Sequence, residues 1–126
     1  MEATAKAKYL RMSAKKVRLV IDLIRGQQVD EAIATLRNLQ KRAAEPIRKV
    51  IRSAAANAIS QAGSARLKAE DLTIEKIVVD NGPAYKRFRP VSMGRAHRYK
   101  HRTCHVSVKV AGEAQDERRR RKDKTA

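Results

Sequence analysis

Small or apolar Ala3, Ala5, Ala7 and Tyr9 alternate with Thr4, Lys6 and Lys8, which predicts a half-buried strand over residues 3–10 with one basic face. The period then changes. Val17, Val20, Ile21 and Ile24 recur at i, i+3, i+4 and i+7, behind Ser13 at an N-cap position and ahead of Gly26 at C′, the signature of a first helix. Asp30 is the expected cap of a short second helix reaching Leu39, with Ile33 and Leu36 turned inward. A longer third helix is expected over 43–62: Pro46 falls in its first turn, where a missing N–H costs nothing, and Gly63 follows its end. Its apolar face is Ile47, Val50, Ala54 and Ala58, with Ile51, Ala55, Ile59 and Ala62 beside it, and so many alanines permit close approach by a neighbour. Residues 72–80 are β-branched and apolar, a strand. Residues 103–110 alternate, with Cys104, Val106, Val108 and Val110 on one face and Thr103, His105, Ser107 and Lys109 on the other, a second strand of the same kind.

Residues 81–102 between these strands lack helical periodicity and contain Gly82-Pro83, Pro90 and Gly94. If they continue both strands as a ribbon turning at 90–93, each leg spans roughly 30 Å at ~3.3 Å per residue. A two-stranded ribbon without a third strand or an apolar face is marginal alone in water, so such an arm calls for a partner to order it.

Charge identifies the kind of partner. The chain has 126 residues with 30 Lys+Arg, 13 Asp+Glu and a net charge of +17, on a length suited to one domain and with 42% hydrophobic residues, enough to exclude disorder throughout. The charge is uneven. Residues 26–82 are nearly balanced, whereas Lys86, Arg87, Arg89, Arg95, Arg98, Lys100, Arg102 and Lys109 occupy 83–110 without one Asp or Glu. Three of the four aromatic residues, Tyr85, Phe88 and Tyr99, fall in the same stretch. Rings between cations suit stacking on unpaired bases together with phosphate contact; packing across the ribbon to stiffen it is the alternative for Tyr85 and Tyr99. Lys15, Lys16 and Arg18 sit in the first turn of the first helix, an unfavourable place for cations beside its positive dipole end, which points to another use for them. Lys41, Arg42, Arg48, Lys49 and Arg52, around the third helix, suit a solvated face as well as an RNA contact.

An anionic membrane surface fits less well, because the arm has no apolar face opposite its charge, and no stretch is long and apolar enough to span a bilayer. A single Cys104 and an N-terminus without an apolar signal core point to a reducing compartment, and the lack of a transit segment favours a bacterial source over an organelle. The tail 113–126, which carries Arg118, Arg119, Arg120, Arg121 and Lys122 but no large apolar residue, is expected to be disordered until it meets a partner.

Catalytic chemistry finds no footing. His97, His101 and His105 at four-residue spacing would share a zinc ion on a helix, but on an extended chain they stand roughly 13 Å apart. Cys104 and His105, adjacent on a strand, face opposite ways and cannot act as a pair. No phosphate-cradling glycine loop or nucleophile elbow is present. The expectation is a protein that is not an enzyme, with no catalytic residue, no metal site and no cofactor.

Four segments, KAKYLRMSAKKVRLVIDLIRGQQVDEAI (6–33), AAEPIRKVIRSAAANA (43–58), DLTIEKIVVDNGPAYKRFRP (71–90) and GRAHRYKHRTCHVSVKV (94–110), closely resemble the bacterial form of the universal large-subunit ribosomal protein family numbered twenty-two. The resemblance implies an α+β domain over 1–112, three helices packed on a three-stranded antiparallel sheet, with a protruding hairpin at about 81–102. It implies a cytoplasmic structural constituent of the large ribosomal subunit that binds the twenty-three-S-type RNA, supports assembly and touches neighbouring ribosomal proteins, with no membrane association and no homo-oligomer. Lys15, Lys16, Arg18, Lys86, Arg87, Arg89, Arg95, Arg98, Lys100 and Arg102 are then the RNA contacts. Phe88, Arg89, Pro90, Val91, Ser92, Met93 and Gly94 are the hairpin tip, which in that family lines the exit tunnel and meets the nascent polypeptide. This tip departs from the family pattern, which commonly has a basic residue after the proline and another before the glycine, and Cys104 stands where serine is common. The rival readings are a free nucleic-acid-binding or chromatin-like protein, with Arg118 to Lys122 as a nuclear address, and an enzyme using Cys104 and the histidines.

Overall fold

The N-terminal strand, β1, runs Glu2–Leu10, and the three helices follow as α1 Ala14–Ile24, α2 Val29–Asn38 and α3 Ala44–Ala62. After a 3-10 turn at Ala69–Asp71 come β2 Leu72–Asn81, β3 Tyr85–Pro90, β4 Ala96–His101 and β5 Cys104–Gly112. This computed structural model describes residues 2–63, 67–112 and 121–125. The expected tail falls mostly on residues outside that set; 121–125 form one exposed helical turn.

β5 is the centre of a three-stranded antiparallel sheet ordered β1-β5-β2, and β3 and β4 make a separate two-stranded ribbon, the α+β architecture expected. Helices cover one face of the sheet, α3 lying against β1 and β5, α1 against β2, and α2 against α3. The alternation in β5 is realised: Cys104, Val106, Val108 and Val110 are buried against Val17, Ile21, Ile47 and Ile51 of the helix layer's core. Ala54 and Ala58, fully buried on α3, permit the close approach that their small size predicted. At the sheet's edge, Asn57 of α3 donates to the Thr4 carbonyl at 3.0 Å, satisfying part of a strand edge that would otherwise be open.

Two bulges interrupt the strand periodicity. Between Ile74 and Lys76 the register with β5 shifts, so Glu75 is an extra residue and the inward set changes parity from Leu72 and Ile74 to Ile77 and Val79. A second shift between Ala7 and Leu10 of β1 places Tyr9 in the left-handed region, φ 58°, with its ring 60% exposed rather than on the half-buried face with Ala3, Ala5 and Ala7. Its N–H donates to His105 Nδ1 at 3.0 Å and its ring meets the imidazole edge-on, contacts that offset the strain of a non-glycine residue held there.

Helix ends follow the sequence with one change. Gly26 and Gly63 both take positive φ beyond α1 and α3, as expected of glycine at such ends. The cap of α2 is Gln28, so Asp30 and Glu31 lie inside the first turn and act on the dipole instead of capping. The Gln27 carbonyl also accepts from the Ile74 N–H at 3.0 Å, which fastens the turn between α1 and α2 onto β2.

On the open face of the sheet, Lys109 bridges Glu2 of β1 at 2.9 Å and the bulge residue Glu75 of β2 at 3.5 Å. The hydrogen bond from Lys109, reinforced by its charge, holds the Glu2 carboxyl below its ordinary 4.5, and the same bond raises Lys109 above 10.5. A carboxylate lowered in the folded state contributes stability above its unfolded value that is lost as pH falls through the folded value. An ammonium raised in the folded state contributes below its unfolded value and loses that contribution as pH rises through the folded one. The bridge is therefore fully effective between these two ordinary values. Glu2→Gln is expected to lower the urea midpoint slightly at neutral pH, with the difference from the parent narrowing as pH falls below 4.5; an undiminished difference in acid contradicts this assignment.

Candidate nucleic-acid interface

The arm grows directly from the sheet. The β2–β5 ladder ends at Asn81 opposite Cys104, and pairing resumes at Tyr85 opposite His101, continuing to Pro90 opposite Ala96. Each leg of the ribbon is thus six residues, about 20 Å at ~3.3 Å per residue, shorter than the continuous run expected from the sequence. The interruption has a local cause. Pro83 has no N–H for a ladder, and its carbonyl instead accepts from Thr103 Oγ1 at 2.6 Å, which draws Thr103 inside at 2% exposure although its parity predicted an outward side chain. Gly82 donates its N–H to the Thr103 carbonyl at 2.9 Å, and any Cβ there would run into Thr103 Oγ1 and the His105 ring. Glycine is required at this joint by space rather than by dihedral angle.

At the far end the chain reverses through 91–95, closed by a bond from the Val91 N–H to the Arg95 carbonyl at 3.0 Å. Met93 and Gly94 take φ 61° and 66°, and the Met93 side chain is 92% exposed. Of the residues expected at the tip, Val91, Ser92, Met93 and Gly94 form this loop; Phe88, Arg89 and Pro90 belong to the paired leg below it.

Pairing sorts the arm into two faces. Tyr85, Arg87 and Arg89 share one with His101, Tyr99 and His97; Lys86, Phe88 and Pro90 share the other with Lys100, Arg98 and Ala96. Rings and guanidinium groups meet across the strands, with Arg89 5.1 Å from the Tyr99 centroid and Arg98 5.7 Å from that of Phe88. Tyr99 also meets His101 edge-on. Tyr99 and Phe88 thus pack against cations of the facing leg, and Phe88 keeps 63% of its surface exposed. Every residue of β3 is exposed, so Lys86, Arg87 and Arg89 lie open, as do Arg95, Arg98, Lys100 and Arg102.

The start of α1 adds to this surface. Lys15 and Lys16 are exposed, and Ser13 makes no side-chain cap, leaving first-turn N–H groups open beside them. Arg18 departs from the set: its guanidinium donates to the Val79 carbonyl at 3.0 Å and ties α1 to β2. Lys16 instead joins Arg87, Lys100 and Arg102 in lining a cleft of about 860 Å³ between α1, the turn before α3 and the base of the arm. The sequence pattern assigned no role to Arg11, which enters this cleft with Lys41 and Arg42. Arg11 lies just past β1 and reaches Tyr85, its guanidinium 5.8 Å from the ring centroid, a proximity created by strand pairing that no local motif announces.

The histidines show no catalytic arrangement. His97 and His101 belong to the arm and His105 to β5, and among the described residues no three ligating side chains gather to hold a metal ion. Cys104 is fully buried; desolvation pushes its thiol up, with the Arg18 charge opposing in part, the reverse of what an activated nucleophile needs. Among the described residues no helix is long and apolar enough to cross a membrane.

These features define a small basic α+β domain that carries a cationic, ring-studded arm without a single acidic residue. Residues 5–111 match the family described as Ribosomal protein L22p/L17e, and the chain belongs to that family. It is a ribosomal protein and not an enzyme. The chain is 44% identical over 87% of its length to the large ribosomal subunit protein uL22 of Solibacter usitatus, covering 96% of that protein. It is 47% identical to the protein of the same name from Acaryochloris marina, over 89% of this chain and 91% of the relative. With that of Mycoplasma capricolum it shares 48% identity over 90% of the chain and 99% of the relative. The family expected from four sequence segments is thus the one found.

Proposed function

We propose that this chain is a structural constituent of the large ribosomal subunit, as its relatives are named, and that it binds large-subunit ribosomal RNA chiefly through the arm and the start of α1. The observation that carries this reading is the arm itself: two six-residue legs, exposed except at Tyr99, with cations on both faces and no acid from 83 to 110. Such a ribbon repels itself in isolation and is stabilised by phosphates, whose condensed counterions are released on contact. Lys15, Lys16, Lys86, Arg87, Arg89, Arg95, Arg98, Lys100 and Arg102 are the proposed contacts. Arg18 keeps a structural duty toward Val79 and has guanidinium donors left over for RNA. The arm enters RNA and helps hold its segments together during assembly, with neighbouring ribosomal proteins around the domain. The exposed loop at Val91, Ser92, Met93 and Gly94 then faces the path of the nascent polypeptide in a cytoplasmic ribosome. Sedimentation of a cell lysate through sucrose in high salt tests the placement: the chain is expected to travel with large subunits, and its retention at the top of the gradient refutes the proposal.

A further inference from the structure

The cleft between α1 and the base of the arm is chemically mixed in a way that phosphate contact alone does not require. Seven Lys or Arg side chains line it, with no Asp or Glu among the described lining residues. Its wall is nevertheless apolar on the α1 side. Leu19 and Leu23, one helical turn apart, are 68% and 53% exposed, and Met12, Leu39 and Tyr85 lie beside them. Leucines left this open on a helix whose opposite face already packs the core mark a surface that meets something other than water.

Paired RNA is a poor match for it. A duplex presents phosphates and hydroxyls while its base faces stay stacked, so it would satisfy the cations and leave the leucines wet. An unpaired nucleotide carries a flat apolar ring and an anionic phosphate a short distance apart, which is the combination this cleft displays. Size agrees, since about 860 Å³ falls within the roughly 300–1,000 Å³ of pockets that take small organic groups. Tyr85 adds a stacking step: Arg11 lies over its ring, and the side chain remains 39% exposed.

We propose that the cleft receives an unpaired, extruded nucleotide of RNA, its base against Leu19, Leu23 and Tyr85 and its phosphates against Arg11, Arg42 and Arg102. This rests on the RNA-binding reading above and adds a preference for unpaired over paired RNA at one place on the domain. An acidic protein segment is the competing occupant. The planar Arg11–Tyr85 pair and the continuity of the cleft with the arm's cations favour the nucleotide.

The test uses the full chain and two probes of equal phosphate count, a short oligouridine strand and a blunt-ended RNA duplex. The Leu19→Ser, Leu23→Ser double variant changes exposed side chains and adds no charge. It is expected to lose about tenfold in affinity for the strand while binding the duplex as before, with an unchanged salt slope. Equal loss on both probes, or none on either, overturns the proposal. Against misfolding of the variant, the parent chain is photocrosslinked to a thiouridine-bearing strand: crosslinks at Leu19, Leu23 or Tyr85 support the cleft, and crosslinks confined to 88–98 refute it. Leucine-dependent capture of polyglutamate in preference to oligouridine also refutes it, in favour of an acidic protein partner. If the parent binds neither RNA, the RNA-binding reading fails as well; if it binds both and the leucines do not matter, only the cleft does.

Discussion

Reversing Arg87 and Arg89 to glutamate is expected to reduce affinity for large-subunit RNA by about a hundredfold near 0.1 M salt and to flatten the salt dependence by nearly two logarithmic units per decade. The magnitude comes from counterion release. Each phosphate neutralised contributes a slope of about 0.7 to 0.9, so losing two contacts costs roughly a factor of 25 to 60 at that salt, and the introduced negative charges add repulsion. Neither side chain belongs to the core. Both are exposed, Arg87 bonds only the neighbouring Lys86 carbonyl among the described residues, and Arg89 lies over Tyr99, so the domain should melt as before. The matched control is Lys68→Glu, an exposed position before β2 at the end of the sheet opposite the arm, where the net charge changes equally per site and little affinity should be lost. Filter binding at several salt concentrations reads both quantities. Equal losses at Lys68 and at the arm would mean that total charge, and not its placement, governs binding.

The second large effect concerns the base that holds the arm. Ile51→Ala removes a side chain with no solvent exposure from the layer between α3 and the sheet, and it is expected to cost about 2–5 kcal/mol, lowering the melting temperature by roughly 10 °C. Ile59, two turns further along α3 and 41% exposed, provides the contrast. The same truncation there should cost well under about 1 kcal/mol, because little apolar surface leaves water when it folds. A denaturant series on the two variants decides the matter, and comparable losses would contradict the position of α3 on β1 and β5.

Much of this architecture was legible because local periodicity and tertiary burial agree. The i, i+3, i+4, i+7 stripe of α1 and the alternation of β5 each mark a surface with one face toward the core, and both are buried as read. The failures share a cause. Tyr9 and Thr103 each follow from extending a period past a point where the chain breaks it, at a bulge and at the Pro83 joint. Such breaks depend on the partner strand and have no strong local signature. At the candidate interface the arm's charge and rings were readable as composition. The cleft was not, because Arg11 with Leu19, Arg42 and Arg87 come from three separate stretches of the chain that meet only through β1–β5 pairing and the packing of α1. Arg18 illustrates the converse: its place among cations suggested RNA, and its geometry assigns it first to the Val79 carbonyl.

The strand order has a consequence for how the chain comes into being. β5 separates β1 from β2, so neither earlier strand has a sheet neighbour until residues 104–112 have been synthesised, and Ala3 must then find Val110 across almost the whole chain. Contacts of that separation form slowly, since the loop they close must be ordered first. The cationic hairpin precedes β5 in the chain and leaves the synthesising machinery earlier. A growing copy therefore has its arm available to an anion before the sheet beneath that arm is complete.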